Sequence, residues 1–186
     1  ATMTIARGFS FIYTQGVAIT GLPESFCYLG NGNIGPIPFI IISTLVMLII
    51  LDVIFRKTKF VRYTLAIGDN REAARLSGIN VRRHSTIVFV LSGLFAGIAG
   101  IFLAARIISG HPAVAEGYEL NAIASVVVGG GSLKGGVGSV PGAVLGALFM
   151  TTLSNGLNLL NVSSFWQMVV VGIVIIIAIA TEKFRN

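Results

Sequence analysis

Few side chains in this 186-residue chain could do covalent chemistry. Cys27 is the single cysteine, so no intrachain disulfide, cysteine-based zinc site or redox pair can be built. His111 shares the stretch "SGHPAVAEGYE" with Glu116 and Glu119. One histidine beside two carboxylates reads as a solvated loop rather than a metal site. The run "GGGSLKGG", residues 129–136, holds the glycines and the lysine that phosphate loops use. Its spacing is neither GxxxxGK followed by Ser or Thr nor GxGxxG, so it is not expected to cradle a nucleotide. No catalytic residue, metal ligand or cofactor site is expected.

The stretch with a definable job is "DNREAARLSG", residues 69–78. Asp69 is a good N-cap, and Glu72 completes the capping-box spacing three residues later. Gly78 can take the left-handed conformation that ends a helix. The two turns between them are too short to be stable alone in water, so something else must hold them. Ala73 and Ala74 give a smooth surface able to lie in a groove, while Arg71, Glu72 and Arg75 give oriented charge. One reading is a helix resting on anionic lipid headgroups. The other is a helix gripped by a cytoplasmic protein. Lipid accounts for the arginines but requires neither the glutamate, the alanine pair nor the terminal glycine. A protein partner accounts for all four.

The elements that must position this helix are apolar. The chain is 54% hydrophobic and 11% charged, against about 25% charged residues in ordinary soluble domains. Too little polar surface is left to cover a soluble globule, so the chain reads as an integral membrane protein, all-α and polytopic. Its +6 formal charge has a topological source rather than a nucleic-acid partner. Arg56, Lys57, Lys59, Arg62, Arg71, Arg75, Arg82 and Arg83 all fall between two apolar runs, which marks that interval as cytoplasmic.

Residues 1–13 read as the tail of a membrane helix, with upstream spans expected before it. The whole of 1–186 is expected to form one transmembrane domain. Residues 14–38, rich in Gly, Pro, Asn and Ser, read as a loop. Full spans are expected over 39–55, 85–108, 142–160 and 165–180. Asp52 and Arg56 stand at helical pairing distance. Gly93 and Gly97, and Gly142 and Gly146, form GxxxG pairs that let another helix approach closely. The apolar part of "LNAIASVVVGG" is only half a bilayer long and runs into glycines where no helix should survive. A short or broken helix is tolerated only where protein or a water-filled cavity surrounds it, so this segment belongs inside the bundle. Three crossings after the external His111 loop return the C-terminus to the cytoplasmic side.

"EAARLSG" resembles the EAA-xxx-G core of the cytoplasmic coupling loop of ABC importer permeases, although the Ile-x-Leu-Pro that closes its longest form is absent. "YTLAIGDNREAARLSGIN", "YELNAIASVVVGGGSLKGGVGSVPGAVLGAL" and "NGLNLLNVSSFWQ" come in the order and at the spacing of the permease subunit of ribose-type monosaccharide importers. The resemblance covers the C-terminal half to two-thirds of such a permease. Branched-chain amino-acid permeases share the later glycine region.

The resemblance implies a bacterial inner-membrane permease with four kinds of neighbour. These are a second permease chain, a cytoplasmic ATP-binding subunit, an extracytoplasmic sugar-binding protein and the lipid bilayer. It implies that ATP hydrolysis belongs to the partner. It puts coupling on Asp69, Glu72, Ala73, Ala74 and Gly78. The candidate pathway is Asn121, Gly129, Gly130, Asn155 and Asn158. The glycines either let helices cross closely or line a gate. Asn155 and Asn158 could share a face and meet sugar hydroxyls, yet interhelical hydrogen bonding is the commoner use of membrane asparagine. Phe165 and Trp166 fit an interfacial aromatic belt. Arg106 either snorkels or pairs with Glu119. A permease for branched-chain amino acids, a secondary transporter and a membrane scaffold remain as alternatives. No carboxylate sits at mid-span to couple an ion, as a secondary transporter would need.

Overall fold

Helix length sorts the chain into spanning and non-spanning elements. A computed structural model describes residues 2–185, with side chains through residue 180. Its helices are α1 (Thr2–Thr14), α2 (Glu24–Asn31), α3 (Phe39–Lys57), α4 (Lys59–Asp69), α5 (Arg71–Leu76), α6 (Val81–Ile107), α7 (Tyr118–Val128), α8 (Val140–Leu159) and α9 (Ser164–Arg185). A two-residue-per-strand hairpin, β1 (Asn33–Ile34) and β2 (Ile37–Pro38), is antiparallel with Asn33 opposite Pro38. α3, α6 and α8 are each long and apolar enough to cross a membrane. At 1.5 Å per residue α7 reaches only about 16 Å, half the hydrocarbon thickness. The architecture is that of an all-α polytopic membrane protein.

The outer surface suits that solvent. Ile49, Phe89, Leu145 and Ile176 are all exposed. These faces would be costly in water and cost nothing against lipid.

The chain divides into two compact units. One comprises Ala1–Ile49 with Ile87–Glu116. Here α2 corrects the expectation of a loop over 14–38. Helix α2 is only eight residues long, so tertiary contacts hold it. Gly30 lies directly against the backbone of Ala105 and Arg106, with no room for a side chain. The Asn31 amide donates to the carbonyls of Ala105 (2.8 Å) and Arg106 (3.1 Å), satisfying groups that the end of α6 would leave open. Ile19 and Gly110 exchange backbone hydrogen bonds, and Arg7 lies 3.7 Å from Glu116. A Cβ added at Gly93, Gly97 or Gly100 would meet nothing within 4 Å, so no packing partner is seen at the first GxxxG pair among the described residues.

The other unit comprises Ile50–Thr86 with Gly117–Asn186. Its buried residues, among those described, are Val61, Ala74, Val81, His84, Ala124, Ser125, Val127, Gly131, Gly146 and Met150. The second GxxxG pair does pack. Gly146 lies against the Ser125 carbonyl and Gly142 against the backbone of Gly129. Those pairings run in opposite directions along the chain, so α7 and α8 are antiparallel and touch backbone to backbone. A Ser139 cap on Gly142 N (3.1 Å) starts α8. The Asp52–Arg56 pair forms as expected, at 2.8 Å.

Candidate functional site

The candidate coupling helix is present, but its start is one residue later than the sequence suggested. α4 runs through Asp69, so Asp69 is helical and cannot cap. Asn70 takes the extended backbone instead (φ −146°, ψ 103°), and its Oδ1 accepts from Glu72 N (3.1 Å) and Ala73 N (2.9 Å). Glu72 therefore stands one position too early for a capping box. It pairs with Arg75 through a fork, Nη2–Oε1 at 2.6 Å and Nε–Oε2 at 3.1 Å. Both partners are about two-thirds exposed, so the pair orients charge more than it stabilises.

The helix ends as expected. Gly78 has φ +83°, a conformation costly for any residue with a Cβ. Gly78 N donates to Arg75 O (3.0 Å) and Ile79 N to Ala74 O (3.1 Å). Those two bonds are the Schellman closure, which satisfies the last carbonyls. Asn80 then caps α6 by accepting from Arg83 N at 3.0 Å.

Ala74 is buried while Ala73 faces solvent. The two alanines thus have different work: one seats the helix on its own chain, the other leaves a smooth outer face. Leu76 is 78% exposed beside them. Arg71, Glu72, Arg75, Gly78, Ile79 and Arg82 line a shallow groove. Three guanidiniums against one carboxylate, itself paired with Arg75, leave the lining of that groove net positive.

Beneath the helix lies a contact that the sequence did not announce. The His84 ring, buried at the start of α6, lies 2.8 Å from Thr64 Oγ1 and stacks 4.4 Å from the Phe60 ring, both on α4. Only the two short connections flanking α5 separate these anchored helices from it. No spacing rule links positions 64 and 84.

The candidate pathway residues are not brought to one place. Gly129 and Gly130 close α7, with Gly130 at φ +87°. Asn121 stands eight residues earlier, about 12 Å away along the helix axis. It is half-buried, and its carbonyl accepts from Ser125 Oγ (2.7 Å). Asn155 and Asn158 are exposed near the end of α8. Asn158 Oδ1 accepts from Gln167 Nε2 (2.8 Å), so this asparagine ties α8 to α9. Phe165 and Trp166 are exposed at the start of α9.

This geometry accompanies clear similarity to known permeases. The chain is 46% identical over 188 residues to the ribose import permease protein of Bacillus subtilis, covering 100% of this chain and 58% of that protein. It is 46% identical over 186 residues to the L-arabinose transport system permease protein of Escherichia coli, covering 100% and 57%. The ribose import permease protein of Escherichia coli is 41% identical over 190 residues, covering 99% and 59%. The chain thus spans a little over half the length of these relatives. No solved structure matches it. The family described as the permease component of branched-chain amino acid transport systems matches residues 2–179, and the chain belongs to that family.

Proposed function

We propose that the chain is the larger part of the membrane-spanning permease of an ATP-driven, binding-protein-dependent sugar importer of a bacterial inner membrane. A cytoplasmic ATP-binding subunit docks on residues 69–78. A second permease chain completes the pathway, and an extracytoplasmic sugar-binding protein delivers the solute. Glu72, Ala73 and Gly78 form and present the docking face, Ala74 seats it, and Asp69 joins it to α4. The ATPase subunit does the hydrolysis, and this chain does the moving.

One observation carries the reading. A six-residue helix, capped at both ends and exposed along its outer face, stands in the basic interval between two membrane-length apolar helices, α3 and α6. Such a helix is unstable by itself and is held here at both ends, as a handle must be. The relatives named for ribose and L-arabinose support a monosaccharide as the solute. Asn121, Gly129, Gly130, Asn155 and Asn158 are the proposed lining, with Asn155 the one that offers a free-standing exposed amide. A branched-chain amino acid is the second reading, favoured by the description of the family.

Reconstitution of the full-length permease with its ATPase subunit and binding protein tests this. ATP-dependent uptake of labelled ribose or L-arabinose is expected, with none of leucine. Leucine uptake would favour the second reading. Uptake driven by an ion gradient without ATP would sink both.

A further inference from the structure

α4 and the glycine loop meet backbone to backbone, at the point where α4 hands over to α5. A Cβ placed on Gly68 would lie 2.5 Å from Gly136 N and 3.1 Å from Gly135 Cα. A Cβ on Gly135 would lie 2.7 Å from Gly68 Cα, and one on Gly136 would lie 3.1 Å from Asp69 Cβ. The approaches of 2.5 Å and 2.7 Å are closer than side-chain atoms tolerate. Three glycines from two distant segments thus form one joint, with backbone against backbone between Gly68 and the Gly135–Gly136 pair and the Asp69 side chain beside Gly136.

Both ends of that joint are short and tied. On one side only Asp69 and Asn70 separate Gly68 from α5. On the other, the loop is closed onto α7 by Gly131 N donating to Val126 O (2.8 Å) and onto α8 by the Ser139 cap. α7 and α8 are themselves locked by the approach of Gly146 to Ser125. Side chains yield by changing rotamer, whereas packed backbone does not. A displacement of α5 is therefore handed to the glycine loop by backbone contact rather than through side chains, and the loop is tied to α7 at Gly131.

We propose that Gly68, Gly135 and Gly136 are the joint through which movement of α5 reaches the α7–α8 pair, and that Gly68 is a positioning residue for transport. The inference rests on the reading of α5 as the ATPase-docking helix. It also gives the glycine loop its side of the membrane, that of the basic interval, so that α7 crosses inward and α8 returns.

The Gly68→Ala permease, in the full complex with ATPase and binding protein, tests the joint. Gly68 lies within α4, where alanine is the better helix former, so only the added methyl opposes the change. ATPase retention and basal ATP hydrolysis stay at the wild-type level, while uptake of labelled ribose or L-arabinose falls about tenfold. Gly172→Ala, where the added methyl meets open space, leaves uptake unchanged. Uptake by Gly68→Ala within about twofold of wild type overturns the proposal.

A second measurement stands if Gly68→Ala fails to assemble. Spin labels at Arg62→Cys and Lys134→Cys, in a Cys27→Ser complex that still imports, report the distance across the joint. That distance stays the same in nucleotide-free and ATP-trapped complexes. A distance that changes on trapping overturns the proposal. Failure of the docking reading shows separately, as a wild-type permease that retains no ATPase subunit.

Discussion

His84 Nε2 stands 2.8 Å from Thr64 Oγ1, fastening the first turn of α6 to the middle of α4. The Thr64 hydroxyl also donates to Phe60 O at 3.0 Å. Its one hydrogen is then used, so it accepts from His84, which fixes the proton on Nε2. His84 is 8% exposed, and a buried polar group left without its partner costs about 1–3 kcal/mol. Thr64→Val keeps the shape and removes the acceptor, so it should destabilise the permease by that amount, whereas Thr64→Ser should not. Denaturant titration in detergent checks this. A valine variant as stable as wild type would mean that the ring has another partner.

The cap assignment separates two neighbours of similar chemistry. Asn70→Ala removes the acceptor for two amides and should cost α5 about 1 kcal/mol. Amide exchange at Glu72 and Ala73 should then quicken about fivefold. Asp69→Ala should leave exchange at those amides unchanged, because Asp69 belongs to α4. The opposite pattern would return the cap to Asp69.

If α5 is the docking helix proposed above, its two alanines should fail in different ways. Ala73→Phe adds bulk on the exposed face, so insertion and stability hold while ATPase retention and uptake fall about tenfold or more. Ala74→Phe overfills a buried position and should destabilise the chain by about 1–3 kcal/mol. Glu72→Lys should behave like Ala73→Phe, since its ion pair is exposed and contributes little to folding. Normal uptake by both Glu72→Lys and Ala73→Phe, at normal expression, would remove the docking role from this helix.

Gly146→Val should be the most damaging of the glycine changes. Its side chain would occupy the place of the Ser125 carbonyl, forcing α7 off α8 at a cost of about 3 kcal/mol or more. Gly156→Ala, later in the same helix, adds a methyl that meets nothing within 4 Å and should be neutral. Thermal unfolding in detergent compares them. Equal stability of the two would refute the close α7–α8 approach.

The spans were legible because a bilayer imposes a length on apolar runs. The runs at 39–55, 85–108 and 142–160 match α3, α6 and α8 to within a turn or so at most ends. The half-length α7 was legible for the same reason, as an apolar run about half a bilayer long that ends in glycine. α2 was not, because its eight residues carry glycine and asparagine, and its support comes from the far end of α6. The two GxxxG pairs show the limit from another side. The motif states that a close approach is permitted, not which helix takes it. Gly142 and Gly146 meet α7, while Gly93 and Gly97 meet no described neighbour. The cap shifted from Asp69 to Asn70 because both are good caps, and only the persistence of α4 chooses between them. The meeting of Gly68 with Gly135 and Gly136 joins positions more than sixty apart in sequence, beyond any local pattern.

The reversal at Gly78 leaves just Gly78, Ile79 and Asn80 between the closing Ser77 and the opening turn of α6. All three are already committed to ending one helix or starting the next. The corner has no spare length with which to absorb a tug. Lengthening it by a single residue would re-aim α5 while sparing every side chain on its surface. Under the proposed docking, a handle of unaltered chemistry would then point away from its partner.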